Sequence, residues 1–143
     1  MENNVTIKLI RREIYGENDI LETITNGKLY TIEDGKSYKL EYIEYDNDVN
    51  LETIVTIYFD GNKMEINKNG YVNMSMIVSS QENFRHDSEF VTNFGRLPIT
   101  TISSDYYCEL IGQMIILKGV YSSIISDELI GKIELTLQIF IKA

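Results

Sequence analysis

Near its C-terminal end the chain alternates strictly, with Ile133, Leu135, Leu137, Ile139 and Ile141 interleaved with Lys132, Glu134, Thr136, Gln138 and Lys142. A period of two places one set on a dry face and the other on a wet face of a β-strand, whereas a helix would spread the five apolar residues around its circumference. Shorter stretches repeat the pattern: Val5, Ile7 and Leu9; Tyr38, Leu40 and Tyr42; Val55, Ile57 and Phe59; Val72, Met74, Met76 and Val78. β-branched and aromatic residues dominate all of them, as a pleated, half-buried surface favours. Asp34-Gly35, Asp60-Gly61 and Asn69-Gly70 lie between such runs and suit the positive φ angles of tight hairpin turns, so consecutive strands are expected to be antiparallel neighbours. Asn26-Gly27 falls inside a longer run, where a bulge or sharp bend fits at least as well. Asp46 to Asn50, Ser79 to Asp87 and Ile125 to Glu128 read as longer loops.

Nine or ten strands result, at about 5–15, 20–33, 37–45, 52–59, 63–67, 71–79, 87–93, 97–109, 113–123 and 131–142, with no stretch of helical periodicity, no linker and no repeat. The chain, residues 1–143, is read as one all-β domain. A meander of this length either closes on itself or folds into two stacked sheets. The first and last strands carry no proline and little protective charge, which favours closure, because closure removes edges. The expected architecture is a single antiparallel up-and-down β-barrel, with a two-sheet β-sandwich as the alternative.

Composition narrows the function classes. Thirteen Lys and Arg against 22 Asp and Glu give a net charge of −9, spread along the chain, which repels phosphate backbones; no nucleic-acid partner is expected. Arg11-Arg12, the sole adjacent basic pair, reads as a solvated position on the first strand. No apolar run approaches the ~20 residues of a membrane-spanning helix, so no membrane partner is expected. The single cysteine, Cys108, forms no internal disulfide, and the first residues lack the basic and apolar regions of a secretory signal. A cytoplasmic location is the expectation, with Cys108 as a buried structural thiol.

Several segments, taken in order, resemble motifs of the YwiB-like family: Tyr38-Lys-Leu-Glu-Tyr-Ile-Glu44, Lys68-Asn-Gly70 followed by Val72-Asn-Met74, Phe90-Val-Thr-Asn-Phe-Gly95 with Thr101, and Ile115-Ile-Leu-Lys-Gly-Val-Tyr121. The resemblance spans essentially the whole chain. It implies a lipocalin-like, calycin-type closed barrel in a small cytoplasmic protein and implies no established activity. Two positions depart from the family pattern: Lys68-Asn69-Gly70 stands where Arg-x-Gly is typical, and Phe90 stands where Tyr is typical.

Unusual chemistry gathers between Phe84 and Thr101, which hold the only His, the only Pro, three of five Phe and two of four Arg. His86, the sole imidazole, excludes zinc sites built on several histidines and reads as a loop residue between Arg85 and Asp87. Asp46, Asp48 and Asn50 mimic the start of a calcium loop, but Leu51 and Ile57 stand where Gly and a bidentate Glu belong; neither a metal nor a cofactor is expected. Ten Tyr and no Trp raise a further question, since inward hydroxyls would either fix a small ligand in the barrel or hydrogen-bond to one another and plug it.

The first functional reading is a noncatalytic barrel binding a small, partly apolar ligand near one mouth, through inward Tyr42 and Tyr121 and the rim residues Arg85, His86 and Arg96. The alternative is a protein-interaction module, or homodimer, using the face from Phe84 to Arg96; against it, Phe90 reads as core and Phe94-Gly95 as a turn whose ring caps the barrel end. An enzyme with His86 as acid or base is the third.

Overall fold

A computed structural model of the chain describes residues 2–14, 20–32, 35–46, 48 and 50–142. Ten strands follow one another: β1 (Glu2–Glu13), β2 (Ile20–Ile32), β3 (Ser37–Asp46), β4 (Leu51–Phe59), β5 (Lys63–Gly70), β6 (Met74–Ser79), β7 (Arg85–Thr92), β8 (Gly95–Ile111), β9 (Met114–Ile125) and β10 (Glu128–Ile141). Among the described residues no helix is long and apolar enough to cross a membrane. Asp34 of the Asp34-Gly35 turn, and the expected strand ends at residues 15 and 33, lie outside the described residues.

All pairings are antiparallel, in the order β6-β5-β4-β3-β2-β1-β10-β9-β8-β7. The first and last strands pair with each other from Val5↔Ile141 to Glu13↔Ile133, so closure by the ends of the meander is borne out and the barrel reading stands. The two strands at the ends of the sheet, β6 and β7, are neighbours in sequence and, among the described residues, are joined in backbone pairing by one bridge, Asn73↔Val91, just before β6. The result is a nearly closed ten-stranded antiparallel barrel.

Its interior is packed with side chains. Val5, Ile7, Leu29, Leu40, Val55, Ile57, Met64, Val78, Ile115, Leu117, Leu137 and Ile139 are fully buried and belong to one apolar cluster drawn from both sides of the barrel. Gly119 shows how closely opposite walls approach: a Cβ there would lie 2.7 Å from Met64 Cε and 2.9 Å from Val78 Cγ1. The plugged reading of the barrel describes this interior, although aliphatic side chains supply most of the filling. Tyr42, Tyr106 and Tyr121 join this core, without any tyrosine-to-tyrosine hydrogen bond among the described residues. The Tyr38 ring stacks on Phe59, and the buried Tyr106 donates its hydroxyl to the Asp60 carbonyl at 2.7 Å, tying β8 to the β4–β5 turn.

Candidate functional site

Strand pairing is interrupted between β2 and β3. Their ladder runs only from Gly27↔Tyr42 to Ile32↔Ser37, whereas β2 pairs with β1 down to Ile20 and β3 pairs with β4 out to Asp46. Residues Ile20–Asn26 and Ile43–Asp46 therefore present facing edges with no strand between them among the described residues. Gly27 stands at the vertex for a steric reason. A Cβ at Gly27 would fall 2.5 Å from the Glu41 carbonyl oxygen, 2.9 Å from Ile7 Cδ1 and 3.1 Å from Tyr42 Cβ, so only glycine lets the two backbones approach this closely. Beside it, the Asn26 amide oxygen accepts from Lys142 Nζ at 2.9 Å and from Thr6 Oγ1 at 3.4 Å, which holds that side chain toward β1.

The notch so formed is a groove of about 380 Å³ lined by Thr25, Asn26, Gly27, Lys28, Glu41, Tyr42, Ile43, Tyr45 and Ile54. Tyr42 is buried at its base, and burial raises the Tyr42 hydroxyl well above the ordinary phenol range, with Glu44 adding to the shift. Ile43, Tyr45 and Ile54 on one flank, and Ile20, Leu21 and Ile24 on the other, are exposed. Charge divides along the notch. At the vertex Lys28 is neutralised by Glu2 at 2.8 Å, whereas Asp46, Asp48 and Glu52, around the β3–β4 turn at the open end, have no ion-pair partner among the described residues. The Asp46 carboxylate accepts the Asp48 N–H at 3.0 Å and so shapes that turn.

The seam between β6 and β7 is built differently. Ser75 N–H donates to Ser88 Oγ at 3.3 Å, Ser75 Oγ to Ser88 Oγ at 3.1 Å, and Ser79 N–H to Ser103 Oγ at 2.9 Å. Ser103 also accepts the Asn83 N–H on its carbonyl and donates its own N–H to Phe84 O, each within 2.9 Å. Side-chain hydroxyls of the β7–β8 hairpin thus satisfy donors on the edge of β6 that a neighbouring strand would otherwise take.

His86 joins this seam. It lies on β7, half-buried, with Nε2 3.2 Å from Ser75 Oγ, and so is not the loop residue expected; β7 begins at Arg85. In the sheet His86 is level with the buried Thr101, which is level with the buried Ser123. Arg85 and Arg96 instead face outward, Arg85 against Asp87 at 3.2 Å and Arg96 against Glu89 at 3.5 Å, and both are exposed. Asp87 is held below the usual carboxylate range, first by the Thr100 hydroxyl at 2.6 Å and then by Arg85. Tyr121 is buried inside the barrel; burial raises its hydroxyl, and the positive charge of Arg11 acts in the opposite sense.

The five residues expected to share one mouth therefore occupy separate places: Tyr42 the notch, His86 the seam, Tyr121 the interior, Arg85 and Arg96 the outer surface. Arg11 was missed. Strand alternation contains the signal, since adjacent residues face opposite sides: Arg11 turns toward Tyr121 while Arg12 pairs with Glu134 outside at 3.2 Å. Phe94, expected to cap the barrel end, is 92% exposed and covers nothing, because the two-residue turn at Asn93-Phe94 carries it away from the barrel. Cys108 is half-buried rather than buried; partial burial, with Asp60 nearby, raises its thiol and keeps it protonated. Lys68 pairs with Glu44 at 3.0 Å.

The family described as Domain of unknown function (DUF1934) matches residues 5–137. No curated protein matches the chain. Among solved structures, the crystal structure of ywiB protein from Bacillus subtilis superposes with a TM-score of 0.83, covering 99% of this chain and 94% of that chain at 15% identity, a likeness of fold.

Proposed function

Because the chain belongs to the DUF1934 family, a grouping defined without an activity, we propose from its own geometry that it is a noncatalytic binding protein of the cytoplasm whose site is the β2–β3 notch. One observation carries the reading: where the strand ladder stops at Gly27, a groove of about 380 Å³ opens with Tyr42 at its base and exposed Ile43, Tyr45 and Ile54 on its flank. A mostly apolar concavity with a few polar groups is the usual form of a small-ligand site, and it matches a partly apolar ligand. The filled interior argues for this surface position over a pocket inside the barrel. A single free cysteine suits a reducing compartment.

The test uses Prodan, a neutral naphthalene dye that brightens in apolar surroundings. Bound dye is expected to shift backbone NMR signals of Thr25–Lys28 and Glu41–Tyr45, and Tyr45→Ser with Ile54→Ser to weaken binding at least tenfold without unfolding the chain. Shifts confined to other strands, or an affinity unchanged in the double variant, reject the notch as the site.

A second reading, a homodimer through the face from Phe84 to Arg96, is supported by the exposed Phe94 and Leu97. Sedimentation over a hundredfold range of concentration tests it. A monomer throughout dismisses the dimer, and a dimer dissolved by Phe94→Ser establishes it.

A further inference from the structure

We infer that the notch accepts an extended segment of another polypeptide, added antiparallel to the free edge of β2, with a basic residue at the segment's C-terminal end. The inference rests on the notch being the binding site and names the class of its ligand.

Backbone chemistry is the first support. In a strand every second residue directs both its N–H and its C=O to the same side. Residues Ile20–Asn26 use β1 on one side only, so alternate residues of this stretch turn a row of donors and acceptors toward the notch. A row with strand spacing is matched group for group only by another strand, which is how β-strand addition gains affinity. Edges of this kind are ordinarily blunted by proline, lysine or a bulge. Ile20-Leu-Glu-Thr-Ile-Thr-Asn26 has no proline and no lysine, and its pairing with β1 is unbroken by any register shift.

Side chains supply the second support. Ile24 is 70% exposed on β2, and Ile43, Tyr45 and Ile54 are exposed on β3 and β4. A strand laid along β2 sends alternate side chains to one face, where an apolar set would cover these four residues. Charge supplies polarity. β2 runs from the open end of the notch toward the vertex at Gly27, so an antiparallel guest runs outward and delivers its C-terminal end to Asp46, Asp48 and Glu52. Lysine there meets carboxylates that lack a partner among the described residues, and an acidic end is repelled.

The probe is the capped peptide Thr-Val-Thr-Val-Thr-Ile-Lys-Lys, labelled at its N-terminus and titrated by fluorescence anisotropy against the full chain. Two further peptides carry backbone N-methyl groups on one or the other alternate set of residues. Saturable binding is expected, with hydrogen-exchange protection at Ile20–Asn26. One N-methylated peptide should lose at least tenfold in affinity while the other stays within about threefold, because only one set of N–H groups faces β2. Glutamates in place of the lysines should weaken binding at least fivefold. The inference is overturned if both N-methylated peptides bind equally, if β2 gains no protection, or if the edge is already protected without peptide in a species of twice the chain mass, which makes a second copy the occupant. Loss of the peptide with retention of Prodan at the notch overturns the strand partner alone; loss of both overturns the notch.

Discussion

Ser103→Ala tests whether side-chain hydroxyls close the barrel. Ser103 is fully buried, and its Oγ accepts the Ser79 N–H at 2.9 Å from the edge of β6. Alanine removes that acceptor without touching the Ser103 backbone bonds to Asn83 and Phe84. Stranding a partly buried donor costs about 1–3 kcal/mol. At this chain length that corresponds to a fall in Tm of roughly 3–12 °C. Ser88→Ala, whose hydroxyl is half-buried and accepts at 3.3 Å, should cost less, about 0.5–1.5 kcal/mol. Ser80→Ala serves as the control, being exposed and making no side-chain hydrogen bond among those described. Urea unfolding followed by circular dichroism gives the three free energies, and hydrogen exchange locates them: the Ser79 amide should exchange faster in Ser103→Ala while amides of β1 and β10 change only with global stability. Equal stabilities for Ser103→Ala and Ser80→Ala, or a Ser79 amide that exchanges as before, would refute the hydroxyl seam.

Alkaline pH should unfold the chain through Tyr42, Tyr106 and Tyr121. All three are raised by burial, so the folded state keeps protons that the unfolded state releases; their contribution is whole below about pH 10 and is lost as pH rises through the folded values. Tyr42 and Tyr106, the two raised furthest, give a slope of about −3 kcal/mol per pH unit once unfolded tyrosines are ionised, and Tyr42→Phe should reduce it by about half, read from urea midpoints between pH 9 and 12. At the acid end Asp87, depressed by Thr100 and Arg85, contributes stability above its ordinary value that is lost as pH falls through its lowered one; Asp87→Asn should flatten that limb slightly, and an unchanged limb refutes the assignment. Gly119→Ala forces a Cβ against Met64 and Val78 and should cost about 1–3 kcal/mol by overpacking, checked by urea unfolding. Phe94→Ser, at an exposed turn, should change stability by less than about 0.5 kcal/mol in the same assay.

Much of the fold was legible because alternation and turn chemistry report burial directly, and the pairing of β1 with β10 followed from unprotected first and last strands. β7 was blurred. Arg85-His-Asp-Ser-Glu89 is polar on both faces, since its inward residues His86 and Ser88 meet hydroxyls of β6 instead of the apolar core, and a hydrophobic period has nothing to record there. Asn26-Gly27, expected as a bulge or bend, instead marks the point where the β2–β3 ladder ends, since its pairing with β1 runs through without a register shift; the groove beyond it was hidden, because the end of a ladder between two strands leaves no mark in either strand's own alternation. Likewise Tyr42 and Tyr121 were correctly suspected of facing inward, but sequence cannot say that one borders an open notch and the other a closed interior.

The notch and the seam together have a mechanical meaning. They interrupt the ring at two places, between β2 and β3 and between β6 and β7, and divide it into two leaves: β3 to β6, contiguous in sequence, and β7 to β10 with β1 and β2, drawn from both ends of the chain. Within each leaf every neighbouring pair of strands is joined by a ladder of six to twelve residue pairs. Between the leaves run six residue pairs at β2–β3, one bridge, a few serine hydroxyls and the Tyr106–Asp60 bond, laid over a shared apolar core. Opening of the β6–β7 seam would turn the leaves about the β2–β3 ladder, and a guest strand in the notch would lie beside that line, where a small local spreading would be magnified across the width of a leaf.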